Sequence, residues 1–125
     1  MMKKIAILVV VIFNIFMLVV VLESRFHMVG KLYNSFILDN YNHYLTCDEL
    51  PDRNYVEKVL AENTDLVDRL YGAGANGIGT GDLEISCENT ADIIIFYNGH
   101  AGKIAIEKLL GDHTFKGIPV RLKNV

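Results

Sequence analysis

The sequence carries none of the short signatures that name an activity. It has no G-x-S-x-G, no Walker A stretch and no H-E-x-x-H. Their absence removes the nucleophile elbow, the phosphate-cradling loop and the helical zinc-protease pair. The four histidines, His27, His43, His100 and His113, have no metal-type spacing to a cysteine. Each reads as a surface or capping residue, and no metal or other cofactor is expected. Basic residues are scarce beyond position 40. Residues 41–125 hold eight Lys/Arg against thirteen Asp/Glu, a balance of −5. Nucleic acid and anionic headgroups select Lys/Arg-rich surfaces, so neither is an expected partner of this region. Cysteine is limited to Cys47 and Cys87.

One segment has no charge at all. Ile5–Leu22 is apolar throughout except for Asn14. At about 1.5 Å of rise per residue a helix of this length spans about 27 Å, close to a hydrocarbon core of roughly 30 Å. Lys3 and Lys4 provide the basic start of a secretory signal, but the run exceeds a usual signal core and no Ala-x-Ala follows it. No cysteine follows for lipoprotein processing, and the Gly-Phe edge of a pilin leader is missing. The run therefore reads as an uncleaved anchor. Lys3, Lys4 and the amino terminus outweigh the sparser Arg25 and Lys31, which sets the N-terminus in the cytoplasm and the C-terminus outside. Asn14 reads as one polar residue tolerated in a strongly apolar span.

The chain then divides into a cytoplasmic tail (1–4), a transmembrane helix (5–22), a juxtamembrane connector (23–40) and an extracytoplasmic α+β domain (41–125). The connector places Phe26, Val29, Tyr33, Phe36 and Ile37 at helical spacing, which can continue the anchor helix. Outside the cell Cys47 and Cys87 are expected to pair. Closing a loop of about 40 residues stabilises by roughly 4 kcal/mol in the chain-entropy model.

Within the domain, aromatic and β-branched residues predict a strand over Tyr41–Cys47, with a helical continuation to about Tyr44 as the competitor. A helix is predicted from about Arg53 to Tyr71, capped by Asp52 or Asn54 and stopped at Gly72. Leu83, Ile85 and Cys87 alternate with Asp82, Glu84, Ser86 and Glu88, the pattern of a half-buried strand. Ile93–Tyr97 reads as a central buried strand and His100–Leu110 as a helix stopped by Gly111. Ile118–Lys123 reads as a last strand, which Pro119 assigns to an edge. The order β-α-β-β-α-β is the ferredoxin-like split βαβ arrangement, with strand order 4-1-3-2 and two helices on one face.

Gly72-Ala73-Gly74-Ala75-Asn76-Gly77 matches G-x-G-x-x-G, but a dinucleotide site needs a strand before it and a helix after it. Here the order is reversed, so 72–81 is read as a helix-to-strand loop. Asp82, Glu84 and Glu88 lie along one strand rather than around a ligand loop, which favours a solvated edge over a cation site. An open sheet face would then carry Asp82 and Glu84 at one edge, Arg121 and Lys123 at the other, and Ile94 and Phe96 between them. An apolar strip flanked by opposite charges suits protein contact better than catalysis. The expected function is a membrane-anchored interaction or accessory module without catalytic chemistry. Its partners would be the lipid bilayer through Ile5–Leu22 and another membrane or extracytoplasmic protein, or a second copy in a homodimer. The alternative is a small-molecule or ion sensor that uses loop 72–81.

Overall fold

A computed structural model describes residues 1–81 and 87–125. The chain forms two compact units, Met1–Tyr33 and Asn34–Val125. The first is dominated by α1 (Met2–Phe26), 25 residues with none buried, and long and apolar enough to cross a membrane. The amide of Asn14 donates to the Val10 carbonyl at 2.8 Å, so its own helix satisfies it. Helix α1 ends at His27, which adopts a left-handed conformation with φ 50°. A short helix α2 (Met28–Leu32) follows, and the second unit opens around a π-helical turn, Tyr33–Ile37. The connector is thus helical, as its spacing suggests, but interrupted.

Among its described residues, the second unit packs three helices against a four-stranded sheet. Helix α3 (Arg53–Glu62) is capped by Asp52, whose carboxylate accepts from the Asn54 and Tyr55 amides at 2.9 and 3.4 Å. Helix α4 (Thr64–Ala73) ends at Gly74. The expected single helix over 53–71 is therefore two. Asn63 divides them: its side chain donates to the Val59 carbonyl at 2.8 Å, and its backbone leaves the helical region at φ −120° and ψ 47°. Such local competition with the backbone explains why Asn sits poorly in helix interiors.

Strands β1 (Ala75–Thr80), β2 (Ile93–Tyr97), β3 (Thr114–Phe115) and β4 (Ile118–Asn124) form a sheet in the order β1-β2-β4-β3. Helix α5 (His100–Leu110) connects β2 to β4, which run parallel. β1 and β3 are antiparallel to their neighbours. This departs from the ferredoxin-like expectation. No strand forms over 41–47, where the structure has a single bridge from Tyr41 to Leu122 and then a 3-10 turn at Cys47–Glu49. β2 therefore pairs directly with β4 instead of sandwiching a first strand between them. Of the expected strand at Asp82–Glu88, residues 82–86 lie outside the described residues, and Cys87 and Glu88 are not in a strand.

Two local expectations are corrected. The glycine-rich stretch 72–81 contains strand β1 rather than a loop. Its glycines alternate: Gly77 and Gly79 stand beside Phe96 and Ile94, while Ile78 and Thr80 stand beside Ile95 and Ile93 on the opposite face. Pro119 does not mark an edge strand, because β4 lies between β2 and β3. Its missing N–H costs no ladder bond to β2, since pairing with that strand begins one residue later at Val120.

Alternation on β2 and β4 divides the sheet into two faces. Ile93, Ile95, Tyr97, Val120 and Leu122 face the helices and meet Val56, Val59, Leu70 and Ile106 in one core. The other face carries Asp92, Ile94, Phe96, Arg121 and Lys123. At one corner Gly74 and Gly102 bring α4 and α5 close: a Cβ on Gly74 would lie 3.2 Å from the Gly102 Cα.

Candidate functional site

Among the described residues the most buried charged group is Asp92, immediately before β2. Its side chain is 2% exposed. Arg121 Nη2 donates to Asp92 Oδ1 at 3.0 Å, and Arg121 Nε donates to Oδ2. His43 completes the cluster. The Leu45 amide donates to His43 Nδ1 at 2.9 Å, so Nδ1 is the acceptor. Nε2 therefore carries the proton and donates to Asp92 Oδ2 at 2.7 Å. Burial pushes the Asp92 carboxyl up, but the hydrogen bonds from His43 and Arg121 and the Arg121 charge outweigh it and hold the group below the usual carboxylate range. Gly81 leaves room for this pair, because a Cβ there would collide with Arg121 and Asp92.

A second cluster lies along α5. Lys103 is only 7% exposed, and its ammonium is 3.2 Å from Asp39 Oδ1 and 4.0 Å from Glu107 Oε1. His100 Nδ1 meets the Asp39 carboxylate at 3.0 Å. Glu107 also meets His113 Nε2 at 3.1 Å, and the His113 ring stacks on Tyr41 with centroids 3.9 Å apart. The Tyr97 hydroxyl donates to the Asp39 carbonyl. Burial raises the Tyr97 phenol, and the Asp39 and Glu107 charges raise it further. Burial likewise raises Tyr41, reinforced by Glu107. For Asp39 desolvation acts upward, yet the bonds from His100 and Lys103 and their charges bring its carboxyl below the usual range.

Among the described residues no buried side-chain nitrogen or oxygen lacks a hydrogen-bond partner. His43 uses both ring nitrogens, which leaves no lone pair for base catalysis. His100 has a second ring nitrogen in water, with its side chain 70% exposed. Among the described residues no group of three His, Cys, Asp or Glu side chains is arranged to hold a metal.

The register brings four of the six face residues together: Ile94 stands beside Arg121 and Phe96 beside Lys123. Ile94 is nevertheless 4% exposed and Arg121 is 7% exposed, so the outward part is Phe96 and Lys123, both half-buried. Asp82 and Glu84 lie outside the described residues. Cys47 and Cys87 lie at disulfide distance with Cα atoms 5.6 Å apart. The neighbouring backbone is joined as well, by Thr90 Oγ1 to the Cys47 carbonyl at 2.8 Å and by Arg53 Nη2 to the Cys87 carbonyl at 3.2 Å.

Sequence reasoning placed Arg121 on an open face and gave Asp92 no role. Asp92 opens an otherwise apolar run, Ile93 to Tyr97, and a carboxylate at the mouth of a buried strand signals a partner. Asp39 and Lys103 carried no such signal, because 64 residues separate them. Comparison of the chain with protein-family models, curated proteins and solved structures finds no match.

Proposed function

We propose that this chain is a single-pass membrane protein, N-terminus in the cytoplasm, whose domain outside works by holding another protein rather than by catalysis. The observation that supports this best is the commitment of the domain's buried polar groups to one another. Asp92, Arg121 and His43 close one set, and Asp39 and Lys103 anchor the other. A catalytic acid, base or nucleophile needs a proton or lone pair free to meet substrate. The groups with the most perturbed surroundings here spend theirs on holding the fold.

Phe96 and Lys123 offer contact surface. Phe96 lies against Gly77, where a Cβ would come within 3.3 Å of the ring, and Lys123 is its neighbour on β4. An aromatic ring beside a basic side chain resembles the apolar centre and charged rim of a contact surface. The partner is another membrane or extracytoplasmic protein, met in the plane to which α1 would confine this chain.

Crosslinking of the full-length protein in its membrane tests the reading. Phe96→Asp combined with Lys123→Glu should remove the crosslinked species while the native disulfide stays formed. An unchanged pattern from folded protein would sink the idea. Orientation is tested separately: after reduction, a membrane-impermeant maleimide added to intact cells should label Cys47 and Cys87.

A further inference from the structure

We infer that residues 39–43 form a releasable strap over the outer edge of β4, and that this edge also takes the same segment from a second copy of the chain. The inference rests on the edge of β4 and not on Phe96, although Lys123 belongs to both surfaces.

The outer edge of β4 is covered piecemeal. β3 pairs with its first residues, matching Phe115 to Ile118, and the His113 carbonyl accepts from the Val120 amide at 3.1 Å. Beyond that point the cover changes. Tyr41 exchanges two backbone hydrogen bonds with Leu122, each 2.9 Å, and Asn40 Oδ1 accepts from the Asn124 amide at 2.7 Å. One bridge and one side chain thus stand in for a strand.

The rest of the grip is polar and lies partly at the surface. Asp39 meets His100 and Lys103, the Asp39 carbonyl accepts from Tyr97, and His43 meets Asp92. Tyr41 is the strap residue that packs on the core. The backbone turns through the left-handed region on both sides of it, at Asp39 (φ 56°) and Tyr44 (φ 56°), a conformation that costs an L side chain free energy. A segment with one apolar anchor, few ladder bonds and strained ends opens before the rest of the domain.

The contacts also define the occupant. The edge presents His100 and Lys103 to a carboxylate, the Asn124 amide to a side-chain carbonyl, the His113 ring to an aromatic ring, and Asp92 to an imidazole. Asp39, Asn40, Tyr41 and His43 of any copy meet all four. Exchange keeps every contact and changes only the hinge, where the strain at Tyr44 can relax. Cys47 stays bonded to Cys87 of its own chain, so the four steps from residue 43 to 47 allow at most about 14 Å. Exchanging domains must therefore sit side by side, and a shared membrane plane favours that by raising local concentration.

Two differently tagged full-length chains co-expressed in one membrane test this, one with Asn40→Cys and the other with Lys123→Cys. The Tyr41 to Leu122 register sets residue 40 opposite residue 123. A reductant-sensitive link between the tags, mapped to positions 40 and 123, is expected; its absence overturns the proposal. Hydrogen exchange on the unsubstituted full chain gives a second check, which holds even if a cysteine variant fails to fold. The Leu122 amide should exchange at least tenfold faster than the Ile95 amide of central β2, and Asp39→Asn should speed Leu122 alone. Leu122 and Ile95 exchanging together would overturn the strap.

Discussion

Arg121, on β4, grips the carboxylate of Asp92, the residue just ahead of β2, and neither side chain is more than 8% exposed. Removing one partner strands a charge in the interior, which costs about 3–5 kcal/mol, whereas removing both does not. Asp92→Ala and Arg121→Met should each cost about that much in urea titrations of the full chain in detergent. The double variant should lose clearly less than the two losses added together.

Gly81 and Gly72 should respond in opposite directions to the same change. At Gly81 a methyl would strike the Asp92 and Arg121 pair, and overpacking of this kind costs about 1–3 kcal/mol. At Gly72, in the last turn of α4, a Cβ meets nothing within 4 Å among the described residues. Alanine there should stabilise by about 0.5–1 kcal/mol through lower unfolded-state entropy. Parallel melting curves of the two variants would check both signs.

Acid should weaken the domain through two carboxyls. Asp39 and Asp92 both titrate below their ordinary value of 3.8 when folded. As pH falls, the unfolded chain takes up these protons first. The stability the two groups contribute is therefore present in full above the ordinary carboxylate range and is lost as pH drops through their folded values. Melting temperature followed from pH 6 to pH 2 should fall most steeply below about pH 4. Asp39→Asn should make that fall shallower.

Reduction should act more strongly than any one surface substitution. Cys47 and Cys87 are 40 residues apart in sequence, and opening such a loop costs roughly 4 kcal/mol in the chain-entropy model. Cys87→Ser and treatment with reductant should lower the midpoint of unfolding by the same amount. Reductant should have no further effect on the Cys87→Ser variant.

Legibility in the sequence followed the range of the forces involved. The bounds of α5, the Asp52 cap and strand β2 rest on neighbours within a few residues, and each was readable. The pairing of Cys47 with Cys87 was readable because only two cysteines exist. β1 is hidden because 72–81 reads as the loop between a helix and the next strand, although Gly77, Gly79 and Gly81 alternate with Ile78 and Thr80 at the strand period. The division at Asn63 was missed because the apolar spacing runs on past it while the side chain turns back to Val59. The polar clusters were beyond reach for a different reason. Asp92 finds Arg121 and His43 across 29 and 49 residues, and Asp39 finds Lys103 across 64. No local pattern encodes such meetings.

The disulfide also determines where mechanical load would travel. A pull transmitted from α1 along the connector reaches Cys47, crosses the sulfur bridge to Cys87 and continues into β2. Helices α3 and α4 and strand β1 lie inside the covalent ring and are bypassed. Tension would first peel the strap from β4 and then bear on β2, to which β1 is paired. The bridge is thus a shunt as well as a staple, a covalent short cut from the strap to β2 past α3, α4 and β1.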